Sequence, residues 1–411
     1  MTRTEGFPTP VIADAEEAVA VATALAARLR TDAARRAAER RLPYEELAEL
    51  SASGLLAVTV PRGYGGAEVG ARTLGEVVRL LSAADASIGQ IPQNHFFFVE
   101  VLKENGTAEQ QAHFDAELLA GARFGNALAE KGTRHALEFA TRLVPRAGGG
   151  YLLDGVKNYA TGALFADWIP VFALGPDDRL TAAFVPRDAP GVTVGVTVPE
   201  DRVVPHHLTF ERPEVFGAFG QFIHAAVDTG IARGALEEGG ELIRTLARPW
   251  GEAGVERAAE EPLVVQKFGE LALQVRAAEA LLEKAGDAID AARAKPGDPD
   301  TATEASLAVT AARAQADTAA LTVANEVLAL IGTRGATREL GFDRRWRNAR
   351  THTLHQSRST VQPASEGRPL VTTRHAHWTT TVRLAEDAVR DKANQPAVPE
   401  VQLRRDAGLR A

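Results

Sequence analysis

His352 and His355 stand three residues apart in the segment RNARTHTLH, a spacing that places both imidazoles on one face of a helix. Imidazole is the side chain best suited to moving protons near neutral pH, so a catalytic or cofactor-contacting role and a purely structural pairing both fit. A metal fits less well. Nothing nearby supplies a third ligand, and Arg344, Arg345, Arg347 and Arg350 would repel a dication. His206 and His207, in VVPHH, stand where one texture of the chain gives way to another, a common place for a cleft. His95 opens an aromatic run, HFFF, that reads as core, and a buried imidazole there would need a hydrogen-bond partner. The segment NYATGALFADW centres on Thr161 and Gly162; it could lay its backbone against a flat ring, or form an ordinary turn. GYGG at 63–66 offers consecutive backbone N–H groups, but no strand precedes it, and a plain loop accounts for it. The fingerprints GxGxxG, P-loop, HExxH and GxSxG are absent.

The elements that must position these groups fall into stretches of different texture. Apolar residues Val19, Ala22, Leu25, Ala26 and Leu29 recur at helical steps and predict a long opening helix over 13–41. Further helices are predicted over 44–52, 74–83, 88–104 and 108–120. From about 124 to 204, short β-branched and apolar runs separated by Gly and Pro read as a small β domain. Helical periodicity returns over 216–247, 263–295 and 301–331, with KPGDPD as a compact turn, and predicts an up-and-down bundle. The fold class expected is therefore α+β and mainly helical, divided as 1–122 N-terminal helical, 123–212 middle β, 213–356 C-terminal bundle and 357–411 an atypical polar tail.

Composition narrows the partners. A net charge of −8 with no basic block argues against nucleic acid and anionic membrane surfaces, and no run of about eighteen apolar residues suggests a membrane span. The opening residues lack a signal-peptide pattern, so a cytoplasmic location is the expectation.

The order of helical, β and bundle segments, with ELSASGLLAVTVPRGYGGAEV (49–69), FGNALAEKGT (124–133), DGVKNYATGALFADW (154–168) and DRVVPHH (201–207), resembles the acyl-CoA dehydrogenase superfamily. Within it, RNARTHTLH, ARPW and NYATGALFADW look like the flavin-dependent monooxygenase branch that includes dibenzothiophene monooxygenases and sulfur-acquisition oxidoreductases. The dehydrogenases place a Glu base where this chain has His355 and Gln356, and an amide cannot serve as a base.

The resemblance implies a reduced-FMN-dependent monooxygenase, with FAD as the alternative flavin. It would work with a separate NAD(P)H:flavin reductase and O2, inserting oxygen into a small organosulfur compound through a flavin C4a-hydroperoxide. It further implies a homotetramer and no metal. Asn126, Thr161 and Gly162 would line the flavin ring, and Arg248 and Arg334 would contact its phosphate or ribityl oxygens. His352 and His355 would act on the hydroperoxide, with His95 as a third catalytic candidate behind them. The rival readings are an FAD-dependent acyl-CoA dehydrogenase using Glu260 or Glu261, and a non-catalytic homologue. Two departures from the family, a short stretch between Val194 and Val198 and a polar sequence after His355, predict a more open cavity and weaker coupling of oxygen use to product.

Overall fold

The structure, a computed structural model, describes residues 9–130, 138–189, 196–198, 203–205 and 215–354. His206, His207, His355, the stretch from Val194 to Gly195 and the tail from 357 onward lie outside the described residues.

The helices α1 (Ala15–Glu39), α2 (Tyr44–Ala52), α3 (Ala71–Ala84), α4 (Ala86–Gln90), α5 (Gln93–Asn105) and α6 (Ala108–Leu119) come first. Asp14 caps α1 by accepting the Glu17 N–H at 2.9 Å, and the buried stripe below it is Ala18, Ala22, Leu25, Ala26, Leu29 and Ala33. Val19, expected in that stripe, is only half-buried at its edge. The single helix predicted over 88–104 is two, α4 and α5, because Pro92 lacks the N–H that would continue the ladder. GYGG forms a tight turn, with the Gly66 N–H on the Pro61 carbonyl at 3.1 Å, and the next helix begins only at Ala71.

A mixed sheet follows, with strands β1 (Arg142–Pro145), β2 (Tyr151–Asp154), β3 (Trp168–Leu174), β4 (Leu180–Pro186), β5 (Val196–Val198) and β6 (Val203–Pro205) in the order β5-β2-β1-β3-β4-β6. Only the β1–β3 pair is parallel among these strands. Its central strands are buried on both faces. Phe172 and Phe184 join Phe97, Phe98, Phe114 and Phe124 in an aromatic layer against α5 and α6, while Ile169, Val171, Ala183 and Val185 face the other way. Beside β3, Phe124 and Ala127 bridge to Trp168 and Val171, so the FGNA segment runs along the sheet as a further short strand-like piece.

The bundle is α7 (Phe216–Thr245), α8 (Pro262–Arg293) and α9 (Pro299–Ile331), followed by α10 (Asp343–His352). KPGDPD does what its composition requires: Asp298 accepts from the Asp300 and Thr301 N–H groups, and Pro299 occupies the first turn of α9. One buried core runs without a break from α1 and α3 into α7, α8 and α9. Two contacts explain how closely α3 and α7 approach. A Cβ on Gly230 would come within 2.5 Å of the Arg79 carbonyl oxygen, and one on Gly234 within 2.2 Å of that of Ala83. The N-terminus of α3 is also capped from a distance, with Asp290 of α8 accepting the Ala71 N–H at 2.6 Å and that of Arg72 at 3.2 Å.

Candidate active site

α7 is almost entirely buried and largely apolar, yet it carries His224 and Asp228 one turn apart, both inside the protein. His352, the last residue of α10, meets them. Its Nδ1 lies 2.7 Å from Asp228 Oδ1, and its Nε2 lies 3.1 Å from His224 Nδ1. On the far side of Asp228, α9 supplies Arg313, whose guanidinium pairs with Asp228 Oδ2 and also stands 2.8 Å from Asp317. Burial disfavours a charge on Asp228 more than any single contact favours it. His352, Arg313 and a hydrogen bond with Asp317 together prevail and hold the carboxyl below its usual range. An ionised Asp228 accepts the His352 Nδ1–H, which fixes the tautomer and leaves Nε2 toward His224.

α10 ends at His352, with Thr353 as its cap, and His355 lies outside the described residues. Three of the four arginines beside His352 are paired. Arg344 and Arg345 both pair with Glu238 of α7, and Arg347 pairs with Asp343. Among the described residues, no group of three or more His, Asp or Glu is arranged to hold a metal.

His95 is buried in α5 with both ring nitrogens engaged by main chain. Nε2 lies 2.9 Å from the Leu56 carbonyl and donates to it, and Nδ1 accepts the Phe124 N–H at 3.0 Å. Burial pushes its pKa down to about 4, so the ring is neutral at physiological pH. In this geometry His95 ties α5 to the start of the FGNA segment, and neither nitrogen is directed at a reacting group.

That tie positions the flavin-ring candidates. The Gly125 N–H bonds to the Trp168 carbonyl at 2.9 Å and the Ala127 N–H to that of Pro170 at 3.0 Å. Gly125 packs so tightly on the turn at Gly162–Ala163 that a Cβ would come within 2.9 Å of Ala163 Cα. The backbone next to Asn126 therefore lies on the turn that follows Thr161 and Gly162. Gly162 has φ +78°, which disfavours any side chain there. The buried Oδ1 of Asn126 has no hydrogen-bond partner among the described residues. A buried amide oxygen without a donor is costly, and a ring N–H of a flavin is a donor of the right kind. The residues present fit the group.

Arg248 and Arg334 sit elsewhere in the fold, where α7 and α9 end. Arg334 donates to the Leu246 carbonyl at 3.2 Å, two residues before the exposed Arg248. Arg334 thus meets the chain segment that carries Arg248. The carboxylates of the dehydrogenase alternative are already engaged by other groups. Glu260 is exposed and paired with Arg257, which holds it below the usual carboxylate range, and Glu261 accepts the Trp250 N–H.

Sequence reading missed His224, Asp228, Arg313 and Asp317. A signal was available: each pair is spaced four apart on an otherwise apolar or alanine-rich helix, where a polar side chain on the buried face needs a partner.

Comparison with known proteins agrees with this architecture. Residues 14–122 match the family described as acyl-CoA dehydrogenase, N-terminal domain, and residues 222–360 the acyl-CoA dehydrogenase, C-terminal domain. A dibenzothiophene monooxygenase of Rhodococcus erythropolis is 34% identical over 373 residues, covering 82% of this chain and 89% of that protein. A probable FMNH2-dependent monooxygenase, SfnC, of Pseudomonas putida is 28% identical, covering 84% and 93%. Among solved structures, FMN-bound TdsC from Paenibacillus sp. A11-2 superposes with a TM-score of 0.78 at 29% identity, over 83% of this chain and 94% of that one.

Proposed function

The chain belongs to the acyl-CoA dehydrogenase family, in its flavin-dependent monooxygenase branch, and we propose that it uses reduced FMN and O2 to oxygenate a small organosulfur compound. The observation that carries this reading is the 34% identity to a dibenzothiophene monooxygenase along most of both chains. Two features of the geometry support it. The orphaned Asn126 Oδ1, next in the chain to Gly125 on the Gly162–Ala163 turn, suits a flavin ring, and the buried imidazoles of His224 and His352 suit proton transfer where the dehydrogenase alternative needs an available carboxylate.

Reduced FMN, when bound, supplies the two electrons that let O2 give one oxygen atom to the substrate and the other to water. The chain's own residues would do the rest. Asn126, with Thr161 and Gly162, holds and orients the ring, and Arg248 and Arg334 hold its phosphate as fixed cations. His352 and His355 manage protons, and His95 holds the FGNA segment in place. A sulfide or sulfone fits because soft sulfur attacks electrophilic oxygen directly and needs no strong base. The reading includes a separate NAD(P)H:flavin reductase, a homotetramer, a cytoplasmic setting and the four-part division of the chain at 122, 212 and 356. Exposed Leu263 and Leu273 on α8, at 78% and 72%, are compatible with packing between copies.

The test is incubation of the purified protein with FMN, a flavin reductase, NADH and 18O2 against dibenzothiophene and a panel of small sulfides and sulfones. A product carrying one 18O atom is expected, with no reduction of a dye by acyl-CoA thioesters. Flavin binding without any oxygenated product across the panel would overturn the reading.

A further inference from the structure

Both nitrogens of His352 are already committed inside the protein, one to Asp228 and the other to His224. A proton on His352 therefore cannot leave directly; its only hydrogen-bonded exit seen among the described residues is the neighbouring imidazole. We propose, building on the monooxygenase reading, that Asp228, His352 and His224 form a proton relay: Asp228 fixes the tautomer of His352, and His224 is the imidazole through which the pair gives up its proton.

Three observations carry this. First, the two oxygens of Asp228 are divided between partners: Oδ2 pairs with Arg313, and Oδ1 stands 2.7 Å from His352 Nδ1, which turns Nε2 of that ring to His224 Nδ1 at 3.1 Å. Second, the arrangement spans three helices, α7, α9 and α10, so the distances are set by the bundle core and not by a loop. Third, the α7 face that carries His224 and Asp228 continues one turn earlier to Gln221, whose buried Oε1 has no hydrogen-bond partner among the described residues. An unsatisfied acceptor beside His224 marks this face as one that meets a ligand.

The proton account balances. In the charged state His352 carries protons on both nitrogens, and His224 carries one on Nε2. When His224 gives its Nε2 proton to the oxygen that departs as water, that N–H bond breaks and an O–H bond forms. The His352 Nε2–H bond then breaks as a His224 Nδ1–H bond forms. His352 becomes neutral and keeps Nδ1–H on Asp228, and solvent returns the proton before the next turnover. Asp228 is a positioning residue throughout, because its carboxylate keeps the Nδ1 proton in place without taking it.

The experiment uses the full chain labelled with 15N-histidine. Without flavin, the relay predicts an exchange-protected Nδ1–H signal far downfield, absent in His352→Gln, and a nitrogen–nitrogen coupling across the His352–His224 hydrogen bond. Asp228→Asn should abolish the downfield signal, as expected when an amide turns the imidazole to the other tautomer. His224→Asn keeps a polar partner for His352 but cannot pass a proton through. It should retain the downfield signal while raising the ratio of hydrogen peroxide to oxygenated product at least about tenfold, within the range of lost proton-transfer catalysis. A merely structural His224 would leave that ratio unchanged, which would overturn the proposal. So would a missing coupling in the unsubstituted protein, or a downfield signal that persists in Asp228→Asn. If the unsubstituted protein makes no oxygenated product at all, the monooxygenase reading falls by itself, and the nitrogen coupling still decides the relay.

Discussion

Single residues in this protein are read correctly only with their partners. His95 and His352 are both enclosed histidines, yet His95 is neutral between two main-chain groups and His352 lies against an ionised carboxylate. The consequence for His95 is a pH dependence of stability. Its folded pKa, about 4, is below the value of 6.5 for an exposed ring. Between those values the unfolded chain binds the proton and the folded chain does not, so stability falls as pH drops from 6.5 toward 4. The loss approaches about 3 kcal/mol at the lower end. Denaturant midpoints measured at pH 7 and pH 4.5 should show it, and His95→Gln should flatten the slope while lowering stability at pH 7. An unchanged slope would mean that the ring is not buried as described. The sequence shows that His95 needs a partner if buried, but only the fold identifies Leu56 and Phe124.

At the scale of elements, the helices and strands follow their local chemistry closely, and the exceptions have local causes. Pro92 divides one predicted helix, and Val19 falls at the edge of the buried stripe of α1. Contacts between elements are less legible, because they depend on distant residues meeting. Glu130 is an example. Its carboxylate accepts the Ala140 and Thr141 N–H groups, the Thr141 hydroxyl and the buried Lys157 ammonium at 2.6 Å, joining the end of the FGNA segment to β1 and the approach to Tyr159. Replacing Glu130 with Ala leaves Lys157 buried without its counter-charge and should cost about 3–5 kcal/mol in equilibrium unfolding. Gly234 tests the α3–α7 contact in the same assay. Gly234→Ala forces a methyl against the Ala83 carbonyl and the Arg345 guanidinium. A helix-favouring substitution should therefore destabilise the protein by about 1–3 kcal/mol. Stabilisation would show that the two helices are not so close.

For the whole molecule, the proposed function requires the sheet with its FGNA segment and the ends of the bundle helices to hold different parts of one ligand. Arg334, placed where α7 and α9 end, separates these contributions. Arg334→Ala should weaken FMN binding by about ten- to a hundredfold in a fluorescence titration, as for loss of a charge-assisted phosphate contact, and leave riboflavin affinity nearly unchanged. Equal loss for both ligands would place Arg334 away from the phosphate. The sequence by itself determined the α+β class, the long bundle helices, the cysteine-free and acidic composition and the motifs that mark the family, because periodicity, capping and turn chemistry are local. Tertiary structure alone decided that His352 meets Asp228, 124 residues away, and His224, 128 residues away. It also placed Gly125, the neighbour of Asn126, against the turn at Gly162–Ala163. Such meetings depend on how helices cross and sheets pack, and no local spacing in the chain encodes them.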